Sequence, residues 1–269
     1  SMRWSRFKDR DPREQFAIMR DRVFPAIKAM HGGVLPDPTT PDFAAAQPTG
    51  EPATAFARYM EDAIFLIPTP QMLQKLVSGL DELYEHDLRD QDVRGDLYEY
   101  MLSKLATSGR NGQFRTPKHI RELMVALVAP TPDDTVCDPA CGTAGFLISA
   151  AEWVRARYAE SMTEAQWRHF EGPLFTGFDM DRTMLRISAM NLMLHGIRHP
   201  EIAYQDSVSK QCALKNAFTV CLANPPFKGN VDVESISPDL RAIADTKKTE
   251  LLFVALFLRL LKLGGRCAC

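Results

Sequence analysis

Apolar residues recur along this chain first at helical and then at mixed spacing. Over residues 12–30, Phe16, Met19, Val23 and Ile27 share one face, which predicts a helix that Pro25 must bend or break. Residues 31–53 hold five prolines and three glycines, the mark of an irregular surface loop. Helical patterns return at 54–66, 70–88 and 93–107, where Leu97, Met101, Leu102 and Leu105 line up. No strand pattern occurs before residue 110. The expectation is a small helical domain over 1–108 and a second domain over 109–269. The first offers no chemistry: His31 and His86 are lone histidines.

From residue 110 the periodicity alternates. Thr116-Pro117 before Ile120, Leu123, Met124 and Leu127 predicts a helix start, with Thr116 as cap and Pro117 at the first helical position. Strands are then expected at Thr135–Asp138, Leu174–Asp179, Ile202–Tyr204, Phe218–Ala223 and Gly265–Cys269. Helices are expected between them at Thr143–Tyr158, Arg182–His195 and Leu251–Leu261. Such alternation implies a doubly wound, mostly parallel α/β sheet of the Rossmann-like kind. Ligands in such sheets bind at the carboxyl ends of the strands, so the residues that close each strand become the candidates.

Composition narrows the classes. With 45% hydrophobic and 25% charged residues, the 269-residue chain reads as globular rather than disordered or fibrous. Its longest apolar run, Leu251 to Leu261, is broken by Arg259 and falls short of the roughly 20 residues of a membrane span. Residues 1–110 carry 14 Lys+Arg against 17 Asp+Glu, residues 111–130 are net +2 and residues 131–269 net -1. There is no polybasic arm, so any grip on nucleic acid must come largely from a partner. The six cysteines form no Cys-x-x-Cys pair and no zinc spacing with histidine. They read as reduced thiols of a cytosolic protein, and no metal is expected.

The first strand ends in Asp138-Pro-Ala-Cys-Gly142-Thr143-Ala144-Gly145-Phe146. Small residues let a ligand approach the backbone, and the helix that follows offers free N–H groups. Only Gly142 and Gly145 are present, and the next strand-end acid, Asp179, lies well beyond the ~20-residue spacing of a dinucleotide site, which is therefore disfavoured. Asp179 can take both hydroxyls of a ribose. Asp181 suits the cap of the next helix. Asp206, after the third strand, reads equally as a turn residue or as an acceptor for an exocyclic amine.

The fourth strand runs into Asn224-Pro225-Pro226-Phe227. Two prolines stop the strand, stiffen the backbone and remove two donors. Carbonyls and the Asn224 side chain are left as acceptors beside an aromatic face. That arrangement suits a planar ring bearing an amino group. Acceptors on both amine hydrogens favour pyramidalisation and aim the lone pair at an electrophile, and they strengthen as positive charge develops.

Taken together these residues resemble the S-adenosylmethionine-dependent amino-methyltransferases. Asp138-Pro-Ala-Cys-Gly-Thr-Ala-Gly-Phe-Leu is similar to their motif I, and Asn224-Pro-Pro-Phe to the catalytic tetrapeptide of adenine N6 methylation. Gly112-Gln-Phe-Arg-Thr-Pro117 resembles motif X, placed upstream as in the gamma arrangement. The runs Gly177 to Gly196 and Thr246-Lys-Lys-Thr-Glu-Leu-Leu-Phe253 are similar to the modification subunit of type I restriction–modification systems, over about residues 93–269. The resemblance implies that Gln113, Phe114, Arg115, Thr116, Pro117 and Lys118 wrap the methionine end of the cofactor. Thr143, Ala144 and Gly145 would line it with backbone, within the motif that Asp138 and Gly142 open. Asp179 would hold the ribose and Asp206 contact the cofactor adenine. Asn224 and the Pro225 carbonyl would bind the target amine, Pro226 would stiffen the corner, and Phe227 would stack on a base flipped from double-stranded DNA. It also implies a DNA-specificity subunit and a restriction subunit as partners. The family sheet continues through two further strands and a helical tail, so a chain stopping at Cys269 reads as part of a longer fold. Related Asn-Pro-Pro-aromatic enzymes act on guanine N2 in RNA or on glutamine in proteins, and a non-catalytic scaffold is a further reading. Phe227 and the motif X block favour DNA adenine, and Asn224 and Asp179 count against a scaffold.

Overall fold

A computed structural model of the chain describes residues 7–28, 60, 63–86, 95, 97–98, 100–102 and 115–269. Contacts divide the chain into Ser1–Arg94 and Gly95–Cys269. The loop expected over 31–53 lies outside the described residues.

In the first unit, α1 (Pro12–Ile18) starts at Asp11, whose side chain accepts the Arg13 N–H at 2.8 Å. The helix then widens into a π-helical turn, Met19–Val23, before α2 (Phe24–Lys28). The Phe24 N–H bonds back to Met19 O, the i→i−5 reach of that turn. Pro25 has no N–H to give, so the helix absorbs the expected break by loosening one turn. The helix expected over 54–66 is not continued at residues 63–66, which lie in non-helical backbone. Pro68 disfavours helical geometry in the residue before it. Phe65 instead wedges edge-on against Phe16 and Phe24, with ring centroids 5.5 and 5.6 Å away. Thr69 accepts the Met72 N–H and Pro70 opens α3 (Pro70–His86).

The second unit is built on a parallel five-stranded sheet in the order β3-β2-β1-β4-β5. Its strands are β1 (Val136–Asp138), β2 (Phe175–Asp179), β3 (Glu201–Tyr204), β4 (Phe218–Leu222) and β5 (Leu261–Ala268). β1 is central, with Cys137 opposite Thr176 on one side and Cys221 on the other. α4 (Lys118–Val128), α5 (Gly145–Tyr158) and α7 (Arg182–Leu194) contact one another in series. α8 (Pro238–Ile243) and α9 (Thr249–Leu260) pack together over β4 and β5. A short α6 (Glu164–Phe170) precedes β2. The doubly wound α/β expectation holds. α4 begins one residue later than expected: Pro117, not Thr116, is the cap, without a side-chain bond.

α9 buries Leu252, Phe253, Leu256, Phe257 and Leu260 against Cys137, Phe178 and Cys221. Each such side chain contributes about 2 kcal/mol of transfer free energy. Below the sheet, the Asp134 carboxylate gathers the Thr219 hydroxyl at 2.7 Å, the Thr131 hydroxyl at 2.9 Å and the Arg266 guanidinium at 2.9 Å. Burial alone would raise the Asp134 pKa, but these donors hold it below the usual carboxylate value. The bonds tie β5 and β4 to the segment entering β1, at the end opposite the ligand-binding edge.

Candidate active site

The turn after β1 is shaped by two left-handed residues, Gly142 (φ 53°) and Ala144 (φ 65°). It is clamped from three sides. The Cys141 N–H donates to Phe178 O at 2.9 Å, the Asn191 amide donates to Thr143 O at 2.9 Å, and the Gly142 N–H donates to the Asp179 carboxylate at 2.9 Å. Gly177 makes room for this packing, since a Cβ there would lie 3.0 Å from Cys141 Sγ. The turn thus enters α5 with its first-turn N–H groups at the strand ends.

A cavity in front of the turn is lined by Arg115, Thr116, Arg121, Asp138, Ala140, Cys141, Gly142, Thr143, Gly145, Phe146 and Asn224. Ala140 also lines a second cavity of about 390 Å³, bounded by Asp179, Met180, Gln205, Asp206, Val208, Pro226, Val231 and Phe253. Both cavities lie at the ends of β1 to β4 and share Ala140. Asp179, half-buried, keeps one oxygen on Gly142 N and the other on Asp181 N at 2.9 Å. Asp206 closes a turn by accepting the Val208 N–H, and its side also faces the second cavity. Asp181 caps α7, as expected, by accepting from Thr183 N at 2.7 Å.

Asp138 is 1% exposed and accepts the Ala140 N–H at 3.1 Å. Burial, helped by the Asp179 charge, pushes its pKa up to about 8 against one backbone hydrogen bond, so it is largely uncharged at neutral pH. Asn224 is exposed and lines the first cavity together with Gly142, Thr143 and Gly145. Phe227 is 54% exposed three residues on.

Not every expected residue reaches these cavities. Gln113 and Phe114 lie outside the described residues. Lys118 is turned outward, its ammonium 3.8 Å from Glu152, so the cavity wall from this segment is Arg115 and Thr116. Pro117 serves as the α4 cap and Ala144 as a fully buried bend. Pro225 and Phe227 line neither cavity; Pro225 lies between Asn224 of the first cavity and Pro226 of the second, and Phe227 follows. Sequence reasoning missed Arg121, Gln205 and Asn191. Arg121 lies on the buried face of α4 with Val125 and Val128, whereas Ile120, Leu123 and Leu127 of the stripe read from the sequence are exposed, so the sequence pattern pointed to the wrong face. Among the described residues, no group of three or more His, Cys, Asp and Glu is placed to hold a metal ion. No helix there is long and apolar enough to cross a membrane.

The parallel sheet with cavities at its strand ends defines an α/β protein whose candidate ligand site lies at the carboxyl edge of the sheet. Residues 89–269 match the sequence model of the N-6 DNA Methylase family, and the chain belongs to that family. It is 28% identical over 209 residues to the type I restriction enzyme EcoEI methylase subunit of Escherichia coli, covering 77% of this chain and 42% of that protein. A crystal structure of a modification subunit of a putative type I restriction enzyme from Vibrio vulnificus YJ016 superposes with a TM-score of 0.63 at 25% identity. That match covers 76% of this chain and 42% of the other. A chain from a structure of a type I restriction–modification system gives 0.68 at 24% identity over 99% of this chain and 51% of its own length. The chain spans about two fifths of the length of the curated relatives it matches.

Proposed function

We propose that this chain carries the methyl-transfer centre of an adenine-N6 DNA methyltransferase, as the modification subunit of a type I restriction–modification system. The observation that carries the reading is that Asn224 and the turn residues Gly142, Thr143 and Gly145 line one cavity. Family membership and the likeness to type I methylase subunits support it.

The residues present fit S-adenosylmethionine. The first cavity has the backbone of the Gly142–Gly145 turn and two arginines, and the neighbouring second cavity has the Asp179 carboxylate with Val231 and Phe253 as apolar lining. Thr116, Arg115 and the Gly142–Gly145 turn would hold the methionine end. Asp179 would hold the ribose and Asp206 would face the adenine. When bound, this group supplies an electrophilic methyl on a sulfonium. Asn224 and the Pro225 carbonyl accept the hydrogens of the target amine and hold its lone pair toward the cavity. Pro225 and Pro226 keep those acceptors from relaxing, so little reorganisation is needed as charge develops. Phe227 offers its exposed ring to the base. Neither Asn224 nor the prolines ionise, so the residues act by orientation and dipole rather than as a charged base.

An adenine within a duplex must leave the stack to be reached, and the chain's near-neutral charge gives it little hold on phosphate. A specificity subunit would supply that hold, and a restriction subunit would complete the system. The test is transfer of labelled methyl into DNA by the chain with and without a specificity subunit, followed by digestion and identification of the modified nucleoside. N6-methyladenine is expected. Methylated guanine in RNA, or methylated glutamine, would replace the proposal with another acceptor.

A further inference from the structure

The geometry points to Arg259 as a positioning residue for the cofactor's base, acting through the loop that carries Asp206. This inference rests on the cofactor reading above and adds to it a residue outside both cavities. Arg259 lies in the last turn of α9, beside Leu256, Phe257 and Leu260, and is 6% exposed. Its guanidinium donates from Nη1 to the Ser237 hydroxyl at 2.9 Å and from Nη2 to the Ser207 carbonyl at 3.2 Å. Ser207 is buried and follows Asp206 directly. The Ser207 hydroxyl donates in turn to the Pro139 carbonyl at 2.8 Å, in the turn after β1. Pro139, Asp206 and Ser207 all line the second cavity.

The cation stands where two backbone segments meet. The Ser237 N–H donates to Val208 O at 3.0 Å and the Lys210 N–H to Ser235 O at 2.9 Å, so residues 208–210 run beside residues 235–237. Arg259 holds one group from each side of that pairing. Asp206 makes local bonds, accepting the Val208 N–H on its carboxylate and the Ser209 hydroxyl on its carbonyl. The bonds of Ser207 connect this turn to the rest of the domain, and one line from Arg259 through Ser207 to Pro139 sets the width of the cavity there. A guanidinium is costly to desolvate, and stability alone would be served as well by an apolar side chain of its size. The acid that feels its charge, Asp239, is engaged by Lys215 at 2.6 Å. What Arg259 adds is direction, a planar fork of N–H donors that an apolar residue lacks. Direction matters for Asp206. Its carboxylate can accept from the 6-amino group of adenine, whereas a 6-oxo purine presents an acceptor to it. Telling the two apart requires that the loop not give way.

The test titrates S-adenosylhomocysteine and its 6-oxo counterpart, S-inosylhomocysteine, into the full chain by calorimetry. Wild type is expected to prefer the amino purine by about 30-fold, in the range for a hydrogen bond to a charged group. Arg259→Met should cut that preference to about threefold or less, by weakening the amino ligand more than the oxo ligand. Arg259→Lys keeps a donor and should restore part of it. Ser207→Ala breaks the bond to Pro139, leaves the carbonyl for Arg259, and should also lower the preference. Each ratio is taken within one variant, so a general loss of stability cancels. A Met variant in which both ligands weaken equally overturns the inference, because a residue that only supports the fold would behave that way. If Arg259→Met does not fold by circular dichroism, Ser207→Ala decides, and a wild-type ratio there overturns the inference. Wild type without a preference takes Asp206 away from the amine, and the inference with it. Wild type binding neither ligand would sink the cofactor reading itself.

Discussion

The Asp179 carboxylate accepts the Gly142 N–H at 2.9 Å, so the end of β2 holds the turn that follows β1. One carboxylate therefore both shapes the cofactor-facing turn and faces the second cavity. Asp179→Ala should weaken S-adenosylmethionine binding at least tenfold and lower the melting temperature by a few degrees, since two backbone amides lose their acceptor. Calorimetry and thermal unfolding on the same sample separate the effects. An unchanged dissociation constant would remove Asp179 from the site.

Asn224 contributes acceptors that matter when the amine becomes positive, and it is exposed and lines the first cavity. Asn224→Ala should leave cofactor affinity within about twofold and slow methyl transfer by on the order of 10²-fold or more. Single-turnover assays with saturating DNA read the second quantity. Lost cofactor binding would assign Asn224 a different role.

Gly145→Ala sets helix propensity against binding. Alanine stabilises a helical position by up to about 1 kcal/mol relative to glycine. Its methyl would nevertheless collide with the Arg121 guanidinium. The unliganded protein should melt no lower than wild type, while cofactor binding weakens about tenfold. Unaffected binding would show that the guanidinium has another place to go.

Asp138 carries a pH signature. Its folded pKa, about 8, lies above the unfolded value of about 3.9. The folded state binds the extra proton, so the contribution to stability is complete below about pH 4 and is lost as pH rises through 8. Relative to Asp138→Asn, wild type should lose about 1 kcal/mol per pH unit between roughly pH 5 and 8. Denaturant melts across that range check the slope, and a flat difference would show an ionised Asp138.

Asp134 has the opposite sign. Donors from Arg266, Thr219 and Thr131 lower its folded pKa, so its stabilisation is present above about pH 4 and is lost as pH falls through the folded value. Arg266→Met should destabilise at pH 7 and much less at acid pH, read by urea midpoints at both. Equal losses at the two pH values would mean that Arg266 acts by packing alone.

Much of the fold was legible because its signals are local. The alternation of strand and helix over 118–268, the corner at Asn224-Pro-Pro-Phe and the cap at Asp181 each depend on neighbours a few residues away. Two helices escaped. α6 and α8 are 7 and 6 residues long, too short for a periodic face to show. Their caps were readable: Thr163 and Gln166 form a capping box, and Ser237-Pro238 places proline at the first turn of α8. At 63–66 the helical pattern misled, because the prolines downstream and the aromatic contacts of Phe65 outweigh weak propensity.

What the amino-acid order determined alone was the kind of chain this is. Stiff prolines, small residues and alternating periods set backbone choices wherever they stand, so the strand-end chemistry was visible before any folding. Only the tertiary structure decided which distant groups meet. Packing α4 against α5 puts the Arg121 guanidinium over Gly145. The parallel register of β1, β2 and β4 sets Asp179 on one side of the turn and Asn224 on the other. Those meetings follow from burying apolar faces over long sequence separations, and no local pattern encodes them.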